Sequence, residues 1–164
     1  MSGYTKHMYD NDMQETKKEF EKYLSNISQL LPAEYEENQL MELLVCYYPF
    51  EWQMLKEKYD VYCKTDEKLS RFNKKPRYLM PRPEVFIFNL PIYKRISQAR
   101  YKTEYKRKFN AEEQIKYKEV FEKKRIPKIE KRMEKVSKAK LKAQEVEPQF
   151  LDVLMGLYDR KNTS

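Results

Sequence analysis

Side chains able to attack, protonate or ligate are scarce in this sequence, and their placement narrows the chemistry. The one histidine, His7, lies in the polar stretch MSGYTKHMYDND, where nothing would hold an imidazole rigidly beside a nucleophile. Ser-His-Asp and Cys-His mechanisms therefore lack their base. A zinc centre draws several Cys or His ligands from short spacings, whereas this chain offers only His7, Cys46 and Cys63, widely separated. Glycine occurs twice, at Gly3 and Gly156, and neither sits in the kind of cluster whose backbone amides cradle phosphate. Glu15-Thr16-Lys17 and Glu104-Tyr105-Lys106 have the bare spacing of a carboxylate-lysine nuclease centre. That spacing recurs by chance in a chain rich in Lys and Glu, and here it has no strand context. The expectation is a non-enzymatic protein with no catalytic residue, metal or cofactor.

What remains is charge. The 164 residues carry 34 Lys and Arg against 26 Asp and Glu, a net +8, and 37% of them are charged. The surplus is segregated: residues 1–70 are net −6, 71–91 net +4, 92–143 net +12 and 144–164 net −2. Lysines and arginines at that density displace condensed counterions from a polyanion, and interleaved rings add stacking on unpaired bases. The candidate nucleic-acid-binding residues are Lys94, Arg95, Arg100, Tyr101, Lys102, Tyr105, Lys106, Arg107 and Lys108, continued by Lys124, Arg125, Lys128 and Arg132. The reading favoured on this basis is a nucleic-acid-binding or accessory protein, DNA or RNA, gripping phosphate without sequence readout. The alternative is an interaction module, an inhibitor, adaptor or subunit, whose basic arm docks an acidic protein groove. Two blander readings stand beside these: a solvated face laced with partial i,i+4 pairs such as Glu119 with Lys123, or an acidic half and a basic half that neutralise each other within one chain or between copies. Tyr47, Tyr48, Phe50 and Trp52 flank Pro49 at helical spacing, which reads as core rather than as an exposed hot spot.

The elements that must position these residues are helical, and the fold class is mainly α. Residues 1–12 read as a flexible N-terminus. Met13, Phe20, Leu24, Ile27 and Leu31 recur at helical spacing and predict a helix over 13–31. Pro32 is placed to start a second helix to about Tyr48, and Pro49 a third to about residue 70, with Trp52, Leu55, Tyr59 and Tyr62 on one face. Together 13–70 form an acidic three-helix bundle. Pro76, Pro81, Pro83 and Pro91 forbid a continuous helix over 71–91, which becomes a basic proline-rich strap with one short extended segment at Val85–Phe88. Helix resumes over 92–109. Asn110, with Glu113 at the box position, caps a further helix that Pro127 interrupts, so that 92–147 form a basic helical arm. Ile129, Met133, Val136 and Ala143 trace a narrow apolar stripe on it. After Pro148, residues 148–164 form an apolar C-terminal helix.

On two consecutive helices Cys46 and Cys63 stand apart by roughly 20 Å, too far for a disulfide, which goes with a reducing compartment. No apolar run approaches the roughly 18 residues of a spanning helix, and the N-terminal stretch has no apolar signal core. The expected setting is cytoplasmic, away from membranes, with self-association or a larger complex open.

Overall fold

The computed structural model describes residues 2–146, with side chains over 5–142. Among them every regular element is a helix: α1 Ser2–Ser28, α2 Glu37–Tyr47, α3 Pro49–Arg71, α4 Pro83–Phe88, α5 Pro91–Ser97, α6 Ala99–Lys108 and α7 Ala111–Val146. The fold is mainly α. The chain divides into two compact units, Met1–Glu122 and Lys123–Ser164.

In the first unit α1 packs on α2 and α5, α2 on α3, and α4 bridges α3 to α5. Leu24, Ile27, Leu40, Leu44, Leu55 and Ile96 have lost nearly all solvent contact at the centre of this core. The expected apolar face of α1 is present, but the helix begins at Ser2 rather than near Met13, and Tyr9 enters the core one turn before that expected start. The reason is packing: the Tyr9 ring sits 4.9 Å from Tyr62 and 5.1 Å from Tyr78, so burial overrides a polar local composition.

The second helix starts later than Pro32 suggests. Leu30, Leu31 and Tyr35 are all buried between α1 and α2, and the Tyr35 hydroxyl donates to Ile96 O at 2.8 Å, which holds 29–36 as a turn. Glu36 then opens α2, its amide donating to Gln39 Oε1 at 2.8 Å. Pro49 sits at the first turn of α3 as expected. Asn73, with φ 58°, closes α3: Asn73 N donates to Ser70 O at 3.0 Å and Lys74 N to Leu69 O at 2.8 Å, the two bonds of a Schellman motif.

Val85–Phe88, read from sequence as extended, is instead a turn and a half of helix. Pro83 occupies its first turn, where a missing N–H costs nothing, and Phe86 and Ile87 are thereby turned into the core while Val85 and Phe88 face solvent. Pro91 starts α5 in the same way. No continuous helix spans 71–91, as expected, but these two prolines each begin a short helix.

Pro127 does not interrupt α7, which carries it internally. The second unit contains the continuation of α7 from Lys123, where Met133, Val136 and Leu141 are exposed and Ile129 is half-buried. The expected C-terminal helix over 148–164 lies outside the described residues. Among those described, no helix is long and apolar enough to cross a membrane.

Candidate functional site

The basic tyrosine-rich stretch does not form an arm with rings presented outward. Over α5 and α6 the cations face solvent and the rings face the core, because a helix of this spacing separates them onto opposite sides. Lys94, Arg95, Arg100, Lys106, Arg107 and Lys108 are exposed, whereas Tyr93 is buried and Tyr101 and Tyr105 are half-buried against the bundle. Lys102 is half-buried, its ammonium 5.7 Å from the Tyr35 ring centroid. Several cations are paired: Lys106 with Glu34, Arg107 with Glu104 at 2.9 Å and Lys108 with Glu104 at 3.8 Å. The Lys106 hydrogen bond and charge hold the Glu34 carboxyl below its ordinary value, and Arg107 does the same for Glu104. Lys124, Arg125, Lys128 and Arg132 belong to the second unit, so the structure divides the predicted set in two.

The tyrosine hydroxyls have a different task from stacking. A helix leaves its last four carbonyls without intrahelical donors. Of those of α1, Asn26 O accepts from Tyr117 OH at 2.6 Å, and just past the helix end Leu30 O accepts from Gln114 Nε2 at 3.0 Å while Leu31 O accepts from Gln114 Nε2 at 2.7 Å and from Tyr105 OH at 2.6 Å. Tyr93 OH likewise donates to Glu37 O at 2.5 Å. Burial pushes the phenols of Tyr35, Tyr93 and Tyr105 up to about 12, which keeps them protonated donors. Around this junction lies an open cleft at the α6–α7 corner, lined chiefly by Gln29, Lys108, Phe109, Asn110 and Glu113. Asn110 is the residue that turns the corner: its Oδ1 accepts from Glu112 N at 3.0 Å and Glu113 N at 3.2 Å, as the sequence indicated. Gln29 and Phe109 carried no recognisable signal. The cleft offers one ammonium, one carboxylate and side-chain amides beside aromatic rings.

Two further clusters join elements distant in sequence. Lys58 Nζ donates to Asp12 Oδ1 at 2.7 Å and Thr16 Oγ1 at 3.0 Å, and Tyr62 OH donates to Asp12 Oδ2 at 2.8 Å, tying α3 to α1. Asp66 grips the strap, accepting from Arg77 N at 2.8 Å, Tyr78 N at 3.1 Å and Leu79 N at 2.8 Å. Among the described residues no buried side-chain polar atom lacks a hydrogen-bond partner, and no group of three or more His, Cys, Asp or Glu could hold a metal ion. Cys46 is exposed and Cys63 half-buried, both free thiols.

Fold and site together define an all-helical platform stitched by phenol–carbonyl hydrogen bonds. Against known proteins, no family model matches the chain and no solved structure matches it. The chain is 35% identical, over its whole length, to a protein of Cytobacillus dafuensis named "Putative cyclic ADP-D-ribose synthase TIR2", of which it spans 43%. This similarity corrects the functional reading of the sequence. A nucleic-acid-binding protein without enzymatic activity is not what a relative named as a synthase supports, and neither is a simple interaction module. The DNA-binding and RNA-binding readings fall for the same reason. The physical reason lies in the charge: surplus lysine suggests a ligand surface, whereas Tyr105 and Tyr117, expected to stack on bases, direct their hydroxyls inward to backbone carbonyls.

Proposed function

We propose that this chain is the helical part of an enzyme that forms cyclic ADP-D-ribose. The observation that carries the proposal is identity of 35% sustained across the entire chain with the Cytobacillus synthase. The product dictates the substrate class. Its terminal ribose is joined through the anomeric carbon to the adenine of the same molecule, so the donor must be an ADP-ribosyl dinucleotide with a leaving group on that carbon. Nicotinamide adenine dinucleotide is such a donor: the bond from the anomeric carbon to nicotinamide breaks, the bond to the adenine nitrogen forms, and nicotinamide and a proton are released.

In this enzyme the described helices act as the platform, and the bond exchange belongs to a catalytic portion that works beside them. Support for that division comes from the site itself, where the hydroxyls of Tyr93, Tyr105 and Tyr117 are occupied by backbone carbonyls. The share of the relative that is matched, 43%, agrees with it. A cytoplasmic setting fits the two free thiols and the dinucleotide substrate. The test is a segment exchange: this chain replaces its matching part in the Cytobacillus relative, and the product formed from nicotinamide adenine dinucleotide is identified by chromatography and mass. Cyclic ADP-D-ribose from the chimera, with none from this chain alone, is the expected pattern. A folded but inactive chimera, or turnover by the chain alone, overturns it.

A further inference from the structure

The described part of the second unit is one helix, and among residues 123–142 no side chain is buried. Its apolar residues nevertheless share a face. Ile126, Ile129, Met133 and Val136 are spaced three, four and three apart, the alternation that brings side chains onto one line of a helix. Lettered as a heptad, Ile126 and Met133 take a, Ile129 and Val136 take d, and Lys140 falls at the next a. The rest of the helix obeys the same lettering: Lys124, Lys131 and Lys138 fall at f and Lys128 and Lys135 at c, all exposed on the outer side, and Pro127 falls at b, off the stripe. One heptad earlier the a and d positions hold Glu119 and Glu122, so the stripe begins where the second unit does. Ile126, Met133 and Val136 are 38%, 56% and 40% exposed, which leaves the stripe uncovered by the residues described.

We propose that this stripe is the seam of a parallel, two-stranded coiled coil between two copies of the chain. Charge complementarity selects the occupant and its direction. In a parallel pair each g residue faces the e residue five positions further along the partner helix. Here g is Arg125 and e is Glu130, so the two-fold axis generates two pairs of opposite charge. An antiparallel pair sets g beside g and e beside e, which separates them. The acidic residues 1–70 of a second copy, net −6, are the other candidate within the chain. They match the cations at c and f, which lie off the stripe, and so leave Met133 and Val136 in water. The single Lys140 at an a position keeps the association weak. The inference goes beyond the proposed activity, and its test makes no use of catalysis.

The full chain is followed by sedimentation equilibrium from about 5 to about 500 μM, at physiological salt and at about 0.5 M NaCl. The mass should rise from that of one chain towards that of two, with a dissociation constant of about 100 μM that salt changes less than threefold, since the contact is mainly apolar. Met133→Arg is the decisive variant, because the side chain is exposed in the single chain and its loss does not threaten the fold. A cation at this a position should weaken the dimer at least tenfold with no fall in the Tm of dilute protein, whereas docking on an acidic half would hold or tighten. Glu130→Arg should weaken the dimer at least threefold, and adding Arg125→Glu to it should restore the original affinity. A single-chain mass throughout, as when residues 148–164 of the same chain occupy the stripe, overturns the proposal. So does association that high salt abolishes, that Met133→Arg leaves undiminished, or that the exchange of charges fails to restore.

Discussion

Replacing Asp66 with alanine removes one carboxylate and releases three backbone amides. Each is a hydrogen bond to a charged acceptor at 2.8–3.1 Å, but the group is only partly buried, so about 1 kcal/mol apiece is the appropriate scale. Relief of the left-handed conformation at Leu79 returns about 1 kcal/mol, leaving a net loss of about 2 kcal/mol. That corresponds to roughly thirty-fold faster hydrogen exchange at the amides of Arg77, Tyr78 and Leu79, read by NMR or mass spectrometry. Asp66→Asn keeps one acceptor oxygen and should lose about half as much. The effect also has a pH signature. Burial pushes the Asp66 carboxyl up, but the amides of Leu79, Tyr78 and Arg77 and the Lys6 charge outweigh it and hold the group below its ordinary value. A depressed carboxyl stabilises above the unfolded pKa and ceases to as pH falls through the folded one, so the gap between wild type and Asp66→Ala should be full above the ordinary carboxyl value of 3.8 and narrow as pH is lowered beneath it. Exchange rates at 77–79 that are unchanged by Asp66→Ala would refute the reasoning, as would a gap that does not narrow as the pH is lowered through the acid range.

Four other outcomes follow from the same structure. Leu44→Ala, at a side chain with no solvent exposure, should cost about 2–5 kcal/mol in urea unfolding with an unchanged m-value. Tyr105→Phe should cost only about 1 kcal/mol, since Gln114 still donates to Leu31 O, whereas Tyr105→Phe with Gln114→Ala should exceed the sum of the single losses. Alkaline unfolding should set in between pH 10 and 12, because the raised phenols of Tyr35, Tyr93 and Tyr105 stabilise while protonated and that contribution disappears as pH climbs from their ordinary value of 10.0 to about 12. Absorbance at 295 nm followed together with circular dichroism checks it. Ellman's reagent should modify Cys46 faster than Cys63, in line with their exposure.

Much of the fold could be read from periodicity. Trp52 and Leu55 mark the buried face of α3, Pro49 its start and Asn110 the start of α7, because each is a local signal whose physics acts within one or two turns. The misreadings share a cause in long-range packing. Tyr9 draws α1 back to Ser2, Tyr35 delays α2 to Glu37, and Phe86 with Ile87 is buried by a helical turn although Val85–Phe88 has β propensity. The candidate site was legible only by halves. Its cations could be counted, but whether Tyr105 and Tyr117 point to solvent or to the carbonyls of Leu31 and Asn26 depends on partners 74 and 91 residues away. Asp66 looked like any acid on a charged helix, and nothing local to it announces the three amides of the strap.

The closure of the connection between α1 and α2 has a consequence for how the chain matures on the ribosome. Its donors lie 74, 84 and 91 residues downstream of their acceptors at Leu31, Leu30 and Asn26, so α1, α2 and α3 emerge with those carbonyls still open to water. At about 5–20 residues per second the wait is roughly 4–20 seconds, long compared with helix formation or collapse. The nascent bundle must therefore persist as a partial structure whose last step is the arrival of Tyr105, Gln114 and Tyr117. Pauses in translation upstream of these three codons would lengthen the exposure of that open end to chaperones and proteases.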